Sequence, residues 1–323
     1  MDVKTYDNVY KVDFWNPDPK TIDRAARIIR AGGLVAFPTE TVYGLGGNAL
    51  DGEAVKRIYA AKGRPSDNPL ILHFPSPEAV ETCAHVDARA RSLMERFWPG
   101  PLTLILPSRD NVSKEARGGL ETVGCRMPDY PSALAFFAAC GVPVAGPSAN
   151  RSGRPSPTDA LTVARDIGDG VQMILDAGEC RVGVESTVLD VTDTVPVLLR
   201  PGGVPLEELE DFLGKVAMPV GANQLKRSPG TRYRHYAPSV GVMLWKSGGF
   251  SWPREFDYMG VTPPESAPHR EIRFATMQAY AHGLFSALRE LECDGLPIVA
   301  QWPPADGLGR AMRDRLARAA GLA

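Results

Sequence analysis

Between residues 18 and 106, apolar positions switch between a helical period and short continuous runs. Over residues 21–30 the spacing puts Ile22, Ala25, Ala26 and Ile29 on one face, and Gly32 with Gly33 stops the helix. Residues 34–37 form a brief apolar strand ending at Pro38. Asp51 can cap a second helix with Val55, Ile58 and Tyr59 inward, and Gly63 closes it just after Lys62. Residues 70–74 read as a strand, 88–97 as a helix and 102–106 as a strand. The alternation continues with strand 122–127, helix 132–139, strand 142–145 and a helix capped near Thr158. Strands at 171–175, 186–191 and 195–199 follow, and their excess over helices predicts a mixed sheet.

Residues 218–238, MPVGANQLKRSPGTRYRHYAP, lose all periodicity. Structureless stretches this long are functional loops or linkers. A second β/α pattern then begins, with strands at 242–245, 258–261 and 297–301 and helices at 277–291 and 307–320. The organisation read from this pattern is an α/β domain over 1–212, a linker over 213–239 and a small α/β domain over 240–323.

Charge and composition narrow the functional classes. The 323 residues are 44% hydrophobic and 23% charged, as in a soluble globular protein, with a formal charge of −2. A protein that grips nucleic-acid backbone carries a basic excess, so at most weak, local RNA contact is expected. Five scattered cysteines without a CxxC pair give neither a disulfide framework nor a structural zinc site. The N-terminus lacks the pattern of a signal peptide, and no apolar run approaches the length of a membrane span. A cytoplasmic location without membrane partners is expected.

Three segments could carry chemistry. PTETVYGLGGNAL (38–50) contains GxGxxA at Gly44, Gly46 and Ala49, but the distance from the preceding strand is wrong for a dinucleotide turn. It reads as a loop of hydroxyls, Thr39, Thr41 and Tyr43, followed by glycines that let a ligand approach the backbone. In KGRPSDNPLILH (62–73), Lys62 ends a helix and Arg64 follows its terminating glycine. Two such cations suit a polyphosphate, or complement the helix C-terminal dipole. No GxxxxGK[ST] occurs, which excludes a P-loop. PSANRSGRPSPT (147–158) puts Ser148 and Asn150 where a strand passes into a loop, a favoured ligand position, although turn chemistry uses the same residue types. Arg126 and Arg200 end strands, and Glu185, Ser186 and Thr187 start one; each alone reads as an ordinary surface or edge residue. The five histidines lack metal spacing, and His73 alone reads as a packed core residue. Cations, hydroxyls and amides at strand ends suit substitution at phosphorus, where positioning and charge stabilisation dominate.

Together these segments resemble the YrdC family in its two-domain form. The likeness runs through residues 32–50, KGRPSDNPLILH, FWPGPLTLIL, GCRMPDYP, PSANRSGRPSPT, GVESTVLD and LLRPGG, and on to SPGTRYRHYAP and GLGRAMRDRLARAA. It implies a twisted mixed-sheet first domain with a central cavity, a small Rossmann-like second domain, and a linker that gates the cavity mouth. The implied reaction is nucleotidyl transfer: L-threonine, bicarbonate and ATP, the last with Mg²⁺, give threonylcarbamoyl-AMP and pyrophosphate. A tRNA threonylcarbamoyltransferase complex would then carry the group to the adenosine beside the anticodon. Lys62, Arg64, Ser66, Thr122, Asn150, Thr158, Arg200 and Tyr236 would hold ATP, with Lys62 and Arg64 stabilising the charge that leaves with pyrophosphate. Thr39, His73, Arg126, Ser148 and Ser186 would surround threonine, Arg126 pairing with its carboxylate. Tyr233, His235 and Tyr236 would form the gate, and no protein metal cage is implied. The likeness is loose over 248–274. The alternatives are a carbamoyltransferase of the hydrogenase-maturation type, whose cysteine pairs and acylphosphatase-like module are not seen, and a non-catalytic RNA-binding module.

Overall fold

The computed structural model describes residues 6–228, 235–246 and 248–322. The first sheet has ten strands: β1 (Val9–Lys11), β2 (Val35–Phe37), β3 (Gly44–Asn48), β4 (Ile71–His73), β5 (Leu102–Pro107), β6 (Thr122–Arg126), β7 (Val144–Ala145), β8 (Met173–Asp176), β9 (Thr187–Asp190) and β10 (Val197–Arg200). Their order is β1-β8-β2-β3-β7-β4-β6-β5-β9-β10. Pairing is mixed, as predicted: β8 runs parallel to β1 and β2, β4 to β6 and β5 to β9, and the remaining neighbours are antiparallel. Buried strands such as β2 and β5 are apolar at nearly every position because helices and loops cover both faces.

Two of the helices on one face pack into the core that holds Val55, Ile58, Leu72, Leu93 and Leu104. The first, Gly52–Lys62, is capped by the Asp51 carboxylate, which accepts from the Glu53 N–H at 2.9 Å, and is closed by Gly63 at φ 60°. The second is Ala88–Phe97. The other face packs helices Pro19–Arg30 and Pro131–Cys140 around Ile29, Phe37, Phe136 and Phe137.

Four readings change. Residues 44–48, taken as loop, are β3, paired antiparallel to β2. Their glycines make room for neighbours: a Cβ on Gly44 would meet the Phe37 ring at 2.5 Å, and one on Gly46 would meet Val144 at 2.8 Å. The helix near Thr158 is Ala160–Ile167, and its cap is Asp159, whose carboxylate accepts from the Thr162 N–H at 2.8 Å. Strand β1 was not read, because three half-covered residues leave no period. The helix Leu206–Leu213 was also missed.

The second sheet is wholly parallel, in the order β11-β14-β12-β13, from β11 (Val242–Trp245), β12 (Asp257–Gly260), β13 (Arg270–Arg273) and β14 (Ile298–Gln301). Parallel neighbours need crossovers, and helix Met277–Leu291 supplies one between β13 and β14. The edge strand β13 is charged and alternates in exposure, so no apolar run announced it. This domain's core takes in Val42 and Val184 from the first domain and Tyr236 from the linker.

Candidate functional site

The pairing of β4 with β6 sets His73 opposite Arg126 at the carboxyl ends of two parallel strands. Antiparallel β10 returns beside β9, and a register shift between Leu198 and Arg200 turns Arg200 toward the entry of β9. The β2–β3 connection, the loop after β7 and the linker complete one cavity. Counting the space open to solvent, it spans about 620 Å³.

Three arginines and a lysine are buried here. Arg64 is pushed down to about 10, first by burial. Its Nη2 reaches the Asn68 and Pro69 carbonyls only at 3.4 and 3.3 Å, and its buried Nε has no partner. A guanidinium so weakly satisfied inside a protein has donors left for a further acceptor. Lys62 is shifted well down by burial and then by Arg64, yet Nζ donates to the Ser148 carbonyl, the Asn150 carbonyl (2.6 Å) and Asn150 Oδ1 (3.4 Å), the three acceptors an ammonium needs. Arg200 is lowered by burial and donates from Nη2 to Ser186 O at 2.9 Å and Ser186 Oγ at 3.2 Å. Arg126 donates from Nη1 to Thr41 Oγ1 at 2.9 Å, and its Nη2 lies 2.7 Å from Glu40 Oε1.

The neutral groups are held as firmly. Thr39 Oγ1 donates to the Val42 carbonyl at 2.6 Å and accepts from the Thr41 and Val42 amides, fixing the β2–β3 turn. Ser148 Oγ donates to Asn150 Oδ1 at 2.6 Å, and Asn150 Nδ2 donates to the Arg151 and Arg154 carbonyls at 2.8 Å each. The Asn150 side chain therefore shapes its own loop. His73 is pushed down to about 3 by burial and then by Arg126, so its ring is neutral, packed against Phe37 and Phe137 with Nδ1 unpartnered. His235 falls to about 3 through burial, then Arg64 and Lys62.

Of the residues singled out from the sequence, Thr39, Arg64, His73, Arg126, Ser148, Asn150, Ser186, Arg200, His235 and Tyr236 line this cavity, and Lys62 sits behind Ser148 and Asn150. Three do not reach the wall. Ser66 is exposed on the loop after Gly63. Thr122 starts β6 while Arg126 ends it, a separation of about 13 Å along a strand. Thr158 lies just before the Asp159 cap, off the wall. Tyr233 falls outside the described residues. Sequence reasoning missed Glu40 and Ser156, and passed over Glu185 as an edge residue. Burial of a charge was the absent signal, since a lone Glu in a strand approach looks like any other. Tyr236, expected in a movable gate, is buried at φ 62°, its ring stacked on Phe285 at 5.3 Å. Away from the cavity, Asp257, His269 and Asp294 place ligand atoms within 4.8 Å of one another, but Arg270 already lies 3.4 Å from Asp294.

Residues 27–202 match the Sua5/YciO/YrdC family model, described as telomere recombination. The chain belongs to this family. Residues 204–321 match a second model, described as the threonylcarbamoyl-AMP synthase C-terminal domain, where the carbamoyltransferase alternative would need other modules. The chain is 45% identical over 316 residues to threonylcarbamoyl-AMP synthase of Pyrococcus abyssi, covering 92% of this chain and 93% of that one. It is 43% identical over 329 residues to the Bacillus subtilis protein of the same name, covering 94% of each. The fold superimposes on a crystal structure of P. abyssi Sua5 complexed with L-threonine with a TM-score of 0.89 at 42% identity, over 97% of this chain and 98% of that one. Among the described residues, no helix is long and apolar enough to cross a membrane.

Proposed function

We propose that the cavity makes threonylcarbamoyl-AMP from L-threonine, bicarbonate and ATP by nucleotidyl transfer. The observation that carries this reading is the buried, under-satisfied Arg64 beside Lys62 and across from Arg200, in a cavity whose other wall presents Arg126 and hydroxyls. One end suits a triphosphate and the other an amino acid. Threonine's amine takes up inorganic carbon as a carbamate, losing water. A carbamate oxygen then attacks the α-phosphorus, the bond to the β-phosphate oxygen breaks, and pyrophosphate leaves with its charge met by Arg64 on the wall and, through the field from behind the Ser148–Asn150 loop, by Lys62. Arg126 faces the threonine carboxylate with its charge already shared with Glu40. His73, neutral, contributes shape and a hydrogen bond and no charge.

Mg²⁺ comes as part of the ATP substrate. Among the described residues, Glu185 is the one carboxylate on the wall, and it is committed to Ser156 at 2.6 Å and Arg315 at 2.8 Å. The wall thus offers the ion no pair of free acids, and its charge serves the triphosphate. A mixed anhydride in water is labile, so we assign His235 and Tyr236 to excluding solvent. The product is suited to a cytoplasmic acyl-transfer partner acting on tRNA.

Pyrophosphate release from ATP should require both L-threonine and bicarbonate, and should fall by about 100-fold or more in Lys62→Ala and Arg64→Ala variants that remain folded. No release under any combination of substrates would sink the reading. Salt-sensitive RNA binding in its place would favour the binding-module alternative.

A further inference from the structure

We propose, on the synthase reading of the cavity, that Arg315 of the second domain is a positioning residue that fixes the Glu185 carboxylate and the Tyr236 ring on the cavity wall. The catalytic site is then built by both domains.

Arg315 lies in helix Gly307–Ala319 and is wholly buried, the largest side chain among the described residues to be so. Its Nε donates to Glu185 Oε2 at 2.8 Å, and its Nη1 donates to the Pro201 carbonyl and to Asp314 Oδ2, each at 2.8 Å. Glu185 and Pro201 both belong to the first domain, so one guanidinium ties the entry of β9 to the exit of β10. Those two backbone points carry Ser186 and Arg200. The same guanidinium lies 5.5 Å from the Tyr236 ring, which also stacks on Phe285 of the second domain. Arg315 therefore touches three of the pieces that frame the cavity while lying outside its lining.

Burial of a charge this deep needs a function or a partner of equal depth. Here it has the partner. Glu185 faces Arg315 from the helix, Arg200 from β10, Ser156 from the loop after β7, and Tyr236 with His235 from the linker, while Asp314 shares Arg315 with it. Burial alone would raise its pKa. Arg315 first, then Arg200 and Ser156, outweigh burial and hold it below the usual carboxylate range. Removing Arg315 leaves burial unopposed by its strongest partner, and Glu185 takes up a proton at higher pH. A protonated Glu185 no longer accepts from Ser156 in the same way and no longer balances Arg200.

A purely structural bridge would leave the pH profile of turnover alone, and this separates the two roles. Pyrophosphate release by wild type, Arg315→Gln and the neutral pair Arg315→Gln/Glu185→Gln is measured between pH 5.5 and 8.5, with circular dichroism to verify folding. Arg315→Gln should lose about tenfold or more in kcat/KM for ATP. The acid limb of its profile should move up by about one pH unit or more. The double variant should stay slow but lose that shifted limb. Wild-type turnover and an unmoved profile in folded Arg315→Gln overturn the proposal. Should Arg315→Gln not fold, the neutral pair decides: a folded, fully active double variant overturns the proposal, and a folded slow one upholds it. Absence of release in the wild type would overturn the synthase reading itself, and this role with it.

Discussion

Replacing Gly202 by alanine tests whether the cavity depends on the close approach of two chain segments. Gly202 follows Arg200 and Pro201 and lies on the backbone of residues 185–187. A Cβ there would sit well inside 3.0 Å of Glu185, Ser186 and Thr187 main-chain atoms. None of these is the free end of a side chain, so the segments must separate by about an ångström. That movement strains the Gly203 N–H to Glu185 carbonyl bond (3.0 Å) and the reciprocal pair between Thr187 Oγ1 and Val204 (2.6 and 3.0 Å). Overpacking costs about 1–3 kcal/mol, and strain in three hydrogen bonds that are each worth about 1 kcal/mol when lost outright takes it to the upper end, so a loss of about 3 kcal/mol is expected. At roughly 2–4 °C per kcal/mol for a domain of this size, the melting temperature should fall by about 6–12 °C. Glu185, Ser186 and Arg200 move with the strained segment, so pyrophosphate release at a temperature where the variant is folded should drop by about tenfold or more. Scanning calorimetry and a coupled pyrophosphate assay read both effects. A variant with wild-type melting and turnover would refute the reasoning.

Two further outcomes follow from the buried charges. His73 has a folded pKa of about 3 against an ordinary 6.5, so the unfolded chain binds more protons between those values. Stability must fall as pH drops through 6.5, by about 2 kcal/mol at pH 5, and urea midpoints of wild type and His73→Asn at pH 7 and 5 should diverge accordingly. In Glu40→Gln, Arg126 loses its buried partner at a cost of about 3 kcal/mol; saturating L-threonine should recover part of the lost melting temperature, and failure to recover any would remove Arg126 from the carboxylate site.

The sequence by itself determined most elements, because helix and strand periods, the Asp51 cap and the Gly63 stop are local and act within a few residues. It also marked Lys62, Arg64, Arg126, Ser148 and Arg200, through motifs whose resemblance to a known family outran what each residue showed alone. Tertiary structure decided the rest. Glycines 44 and 46 read as part of a loop, but tertiary pairing draws them into β3, where the Phe37 ring and Val144 crowd any Cβ, while Gly44 still lines the cavity. Thr122 starts β6 and Arg126 ends it, so strand direction sets the two apart, which the motif alone does not say. Glu40, Glu185 and Arg315 were invisible because a charged residue announces burial only when its partner arrives, and Arg315 lies 130 residues from Glu185. Local pattern encodes where the chain turns. Which charges share a cavity is set only when distant segments close on one another and exclude water, raising the cost of every charge left without a partner.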